Sequence, residues 1–184
     1  MIWWVLLTFW FTAAIAPAIA GISTFTELQK LGIIVTDYNT YLGDDPTANG
    51  RMAAGFVTNP LFRITDIAQM IIAACAMVVL VLTRGRPTGE RSRTTLACYG
   101  IVVLLIAIPA AFITPKMDRD LTAYREAARA GQIAEADAHR AEFNTLHLVA
   151  ERMYSSRALA IFAMVAASGF AAGRKSSPGK TTKR

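Results

Sequence analysis

The chain has 184 residues, 54% of them apolar and only 17% charged, with a formal net charge of +6. That length allows one ordinary domain, and the balance is too apolar for a typical water-soluble fold. The positive charge does not mark a nucleic-acid binder, because no basic segment is interleaved with aromatic residues of the kind that stack on bases.

Four long apolar stretches run from Ile2 to Ala20, Leu61 to Thr83, Thr95 to Thr114 and Ser156 to Gly173. A bilayer core of about 30 Å takes about 20 helical residues to cross. The expected fold class is therefore an all-α membrane protein with four transmembrane helices. One transmembrane domain over residues 1–173 is followed by a basic tail, 174–184. The first stretch has a rival reading as a secretory signal peptide, since Ala18-Ile19-Ala20 offers a small-x-small cleavage pattern. No Lys or Arg precedes it, which favours a retained helix.

In chain order, helix one opens with Trp3 and Trp4, whose rings suit the inner interface, with Trp10 deeper and Pro17 near the outer end. Ala14 and Ala18, four apart, would let another helix approach closely. The following connection contains Gly43-Asp44-Asp45-Pro46-Thr47-Ala48-Asn49-Gly50, a turn-rich break. Its two adjacent carboxylates fall short of the six to eight oxygens that calcium takes. Helix two is expected to start after Asn59-Pro60, with the proline at a position where its missing N–H costs nothing. Arg63 and Asp66 lie in its first turns, where ionised groups are costly and call for partners. Cys75 and Cys98 fall inside spans and read as small packing residues, because neither C-x-x-C nor Cys/His metal spacing is present.

Helix three contains Pro109, expected to kink its outer third. Beyond it, Met117, Leu121, Tyr124 and Ala128 mark one apolar helix face, which Gly131 would cap. A second stripe, Phe143, Leu146, Ala150 and Met153, runs without a breaker into helix four. One continuous helix to about Ala172 would be roughly 60 Å long and project well beyond the bilayer. An extramembrane helical hairpin between helices three and four follows. His139 and His147 each have a carboxylate one turn away, Glu135 and Glu151. Such pairs make helix-surface charge pairs more often than metal sites, and eight residues set the two imidazoles about 80° apart around a helix. Gly169 and Gly173, in G-x-x-x-G spacing, favour close helix contact within the protomer or across a dimer.

Charge sets the expected orientation. Arg84, Arg86, Arg91 and Arg93 stand against Glu90 alone between helices two and three, and Arg174, Lys175, Lys180, Lys183 and Arg184 follow helix four. Short basic segments stay in the cytoplasm, which puts residues 84–94 and 174–184 inside and 21–60 and 115–155 outside. Both termini are then cytoplasmic, in a multi-pass protein of the bacterial inner membrane. Height arithmetic along helices two and four puts Arg157 near the level of Asp66 and His147 far above it. Asp66 is expected to be held by Arg157, Arg63 or both.

Pro115-Lys116-Met117-Asp118 after helix three and Phe143-Asn144-Thr145-Leu146-His147 before helix four resemble a four-helix membrane family of unknown function, the transmembrane-protein-205-like family. The similarity covers mainly the second half, and it departs at Ala150, where the family often has serine. Asn59-Pro60-Leu61-Phe62 is similar to the opening of helix two in anthrone-oxygenase-like membrane proteins, a relation that would imply oxygen chemistry. No phosphate loop, dinucleotide fingerprint, zinc helix or nucleophile elbow occurs. The favoured reading is a non-enzymatic accessory or interaction protein, without a cofactor, whose partners are the bilayer and a membrane protein or a second copy. The alternatives are a membrane-embedded cofactor-dependent oxidoreductase, with His147 for acid–base or ligand work, and a small transporter.

Overall fold

A computed structural model of the chain describes residues 1–83 and 93–173. Its elements are α1 (Ile2–Lys30), a 3-10 turn (Thr36–Tyr38), α2 (Asn39–Leu42), α3 (Pro46–Leu82), α4 (Arg93–Ile108), a π-helical stretch (Pro109–Ile113), α5 (Thr114–Arg129) and α6 (Ile133–Gly173). No strand occurs among the described residues. Four helical rods, Ile2–Lys30, Pro46–Leu82, Arg93–Arg129 and Ile133–Ala172, are long and apolar enough to cross a membrane. The protein is an all-α membrane protein, as its composition requires.

The rods pack through narrow stripes with a repeat of four and three. On α1 the buried residues are Trp3, Leu7, Trp10, Ala14, Pro17 and Gly21. On α4 they are Thr95, Tyr99, Val102 and Ile106, and on α6 they include Arg157, Ile161, Met164 and Ser168. A mean spacing of 3.5 keeps one seam facing the neighbouring helix, as in left-handed bundles. The other faces carry exposed Ile, Leu, Val and Phe, the arrangement of a bundle solvated by lipid. α1 lies along α3 and also touches α6, α6 lies along α4 and α5, and α3 meets α4 only sparsely. Ala14 is on the packed seam whereas Ala18 is exposed, so the packed stripe uses Pro17 and Gly21 in place of an Ala14–Ala18 pair.

Beyond the apolar runs, the connections 21–60 and 115–155 fold onto each other into a helical head. α1 continues ten residues past Ala20, because no breaker intervenes before Leu31-Gly32, where Gly32 takes a positive φ of 61°. α3 likewise starts fourteen residues before Pro60. The expected start at Asn59-Pro60 is wrong, and Pro60 lies inside the helix. Asp45 provides the stronger start signal: its carboxylate accepts from Thr47 N at 2.8 Å and Pro46 occupies the first turn. The break expected over 43–50 is thus a cap at its first residues and helix thereafter. Asn49 is fully buried and secures the cap. Its Nδ2 donates to Gly43 O and Asp45 O, both at 2.9 Å, and its Oδ1 accepts from Val35 N at 2.8 Å.

The α5–α6 hairpin is present as expected. Gly131 has φ 71°, with Gln132 N donating to Ala127 O (2.9 Å) and Gly131 N to Ala128 O (3.2 Å), the two bonds of a Schellman cap. The head has its own small core: Tyr38, Met52, Ala127, Ala128 and Ala136, flanked by Val35, Tyr41, Leu42 and Tyr124. At Pro109 the rod widens into π-helical turns and does not break; a looser turn accommodates the missing donor and the ring. Pro115 sits in the first turn of α5, so Pro115-Lys116-Met117-Asp118 continues the rod and does not close it. α6 runs unbroken for 41 residues, about 61 Å. The basic segment 84–92 and the tail 174–184 lie outside the described residues.

Candidate functional site

The polar group that the sequence singles out lies where α1, α3 and α6 meet below the head. Asp66 on α3 accepts from Arg157 Nη2 on α6 at 3.1 Å. Arg157 is only 3% exposed, whereas the Asp66 side chain is 36% exposed. The guanidinium also lies over the Tyr154 ring, 3.8 Å from its centroid, and Tyr154 meets Phe62 edge-on at 5.8 Å. Gly21 on α1 leaves room for Phe62, since a Cβ there would stand 3.3 Å from its ring. The cluster is a charge-neutral, aromatic-walled tie across three helices. Two of its donors, Arg157 Nε and the Tyr154 hydroxyl, are buried and make no hydrogen bond among the described residues.

Arg63, the other expected partner of Asp66, is exposed and makes no ion pair among the described residues. Its long side chain is free to reach the polar boundary. His147 lies about two helical turns before Tyr154 on α6 and takes no part in the cluster. It pairs with Glu151 at 3.2 Å on an exposed helix face, the imidazole 48% exposed, and stacks on Phe143. No ion pair joins His139 to Glu135, and no group of three His, Cys, Asp or Glu converges among the described residues. Cys75 is exposed and Cys98 partly so, both unpaired.

Deeper in the bundle, Trp3 is 1% exposed and donates Nε1 to Ser168 Oγ at 3.2 Å. It is a core residue and not the interfacial anchor expected, while Trp4 is 37% exposed. Trp10 is fully buried edge-on to Tyr99, whose hydroxyl donates to Ala73 O at 2.9 Å. Gln69, also fully buried, reaches Ala13 O from Nε2 at 3.4 Å. Between α3 and α4 an apolar groove of about 280 Å³ is lined by Met70, Ala73, Met77, Tyr99 and Ile106, among others.

The head holds a second polar assembly that sequence reading missed. Tyr41 donates to Asp137 at 2.5 Å and accepts from Arg140 at 3.5 Å, joining α2 to α6. Burial, then the bond to Asp137, raises the Tyr41 pKa, and burial followed by the neighbouring Tyr41 pushes Tyr124 up to about 12. Arg125 lies 4.3 Å over the Phe56 ring. Arg129 donates to the Tyr38 hydroxyl at 3.3 Å. The signal was faint: two arginines four apart on α5, opposite aromatic residues 69 and 91 positions earlier.

Fold and polar clusters together define a four-helix membrane protein with a packed helical head at one end. Comparison of the chain with protein-family models, with curated proteins and with solved structures finds no match in any of the three.

Proposed function

We infer that this protein is an accessory or interaction subunit of a membrane, using its head as the recognition surface. The observation that carries this reading is the head itself. More than seventy residues beyond the apolar runs are organised around a private core and a Tyr41–Asp137–Arg140 tie. Joining four spans would take only short turns. Co-purification from gently solubilised membranes tests it. A stoichiometric partner, or a second copy, is expected, and its loss on replacing the exposed head residue Ile133 would locate the contact. A strictly solitary monomer in native membranes would overturn it.

The orientation that suits this role puts the head outside the cytoplasm of a bacterial inner membrane and both termini inside. It is supported by the two outer connections folding onto one another at one end of the bundle, and by the arginines at 84, 86, 91 and 93. The resemblance to the transmembrane-protein-205-like family belongs to the same proposal. In a variant lacking Cys75 and Cys98, a cysteine at position 88 should resist impermeant thiol reagents in intact cells and one at position 44 should react. The reverse pattern would invert the topology.

A further inference from the structure

The strongest unassigned feature is cationic. Arg125 and Arg129 are one turn apart on α5, and Arg51 lies one turn before Gly55 on α3. A Cβ at Gly55 would stand 3.7 Å from Arg125 Nη2, so that guanidinium rests on the backbone of α3. It lies 4.3 Å over the Phe56 ring, and Phe56 in turn packs against Tyr38, the ring that Arg129 approaches at 5.4 Å. An arginine–aromatic–aromatic–arginine array thus links two guanidinium groups, and Arg51, on the adjoining stretch of α3, is exposed.

No carboxylate balances this charge. Asp37 and Glu126 are sequence neighbours of Tyr38 and Arg125, yet among the described residues none of the three arginines makes an ion pair. Arg125 Nε is buried without a partner. Burial lowers the Arg125 pKa, and the only neighbours that counter it are Tyr38 and Tyr124, which are neutral at pH 7. Burying part of an unpaired cation is costly unless an anion joins it. A planar, prepositioned fork is the geometry that matches a phosphate or carboxylate bidentately.

Height decides between those anions. Gly55 is six residues before Leu61, where the apolar run of α3 begins, or about 9 Å along the axis. The polar layer of a bilayer is roughly 5–8 Å deep on each side, so Arg125, beside Gly55, stands just beyond its outer edge, within a long arginine side chain's reach of the lipid phosphates. Phe56 and Val57 next to it are 38% and 59% exposed, an apolar flank of the kind acyl chains cover. We propose that Arg51, Arg125 and Arg129 form a binding site for a phosphate group, supplied by a phospholipid headgroup of the leaflet on the head side or by a free phosphate.

Native mass spectrometry of the full chain, purified in non-ionic detergent and stripped of lipid, tests this with three probes. These are a phosphatidylglycerol, inorganic phosphate, and a diacylglycerol of the same chain length. Phosphatidylglycerol should bind, and the double variant Arg51→Gln/Arg129→Gln should bind it about tenfold more weakly or worse, as for loss of charged hydrogen bonds. Both positions are exposed, so that variant should stay folded, its melting lowered only by the lost Arg129–Tyr38 contact, and Arg51→Gln alone should melt as the wild type. Arg125→Lys keeps the charge but loses the fork, and should weaken binding as well. Arginine-dependent binding of inorganic phosphate without phosphatidylglycerol would make free phosphate the source. Diacylglycerol binding as tightly as the phospholipid, affinity indifferent to all three arginines, or no binding of either phosphate probe would overturn the site.

Discussion

Replacing Asp66 with asparagine should destabilise the protein by about 2–4 kcal/mol in detergent, because it leaves Arg157 buried without a counter-charge. Fully buried pairs lose about 3–5 kcal/mol when one partner is removed. The discount reflects Asp66 itself, which is over a third exposed. Arg157→Gln should cost less, since the carboxylate it strands is less buried than the guanidinium. The double variant should be more stable than the sum of the two losses predicts, by about 1 kcal/mol or more. Arg63→Gln should be close to neutral, because Arg63 holds no ion pair with Asp66. Additive losses in the Asp66/Arg157 cycle of thermal melts would show that the 3.1 Å contact carries no coupling.

Gly50 is the second sensitive point. It is buried on α3 where the rod crosses α1, and a Cβ there would stand 2.6 Å from Gln29 Cα and 2.9 Å from both Gln29 N and Leu28 O. These are backbone atoms and cannot rotate away. Gly50→Ala should therefore cost about 1–3 kcal/mol through forced separation of the helices, even though alanine gains about 1 kcal/mol in helix propensity. Gly100 is the matched control: it is also helical, with nothing within 4 Å of an added Cβ. Gly100→Ala should raise the melting temperature while Gly50→Ala lowers it. Equal shifts of the same sign would mean that α1 and α3 do not approach as closely as described.

Local and periodic features were readable before the fold was known. Apolar run length gave the four spans, Gly131 gave the hairpin turn, and axial height matched Asp66 with Arg157. Helix starts were less legible because two prolines compete. Pro60 looks like a first-turn proline, but Pro46 has the capping carboxylate of Asp45 beside it and wins. Gly50, Asn49 and the Arg125 array were invisible for a different reason. Each owes its role to neighbours far along the chain or to backbone approach, which no local spacing encodes. Trp3 misled in the same way, since an indole near a span end reads as an interface anchor until a buried acceptor is found for it.

That acceptor, Ser168, is 165 positions away. During synthesis Trp3 leaves the ribosome 165 residues before Ser168, so α1 inserts with its indole N–H waiting. Among the described residues the end of α6 supplies that bond, and the same stretch brings Ile161 and Met164 to the core that α1 began. The ring of helices therefore closes in one late event. A chain halted before residue 160 would hold α1, α3 and α4 with an open seam, the state that membrane quality control is built to find.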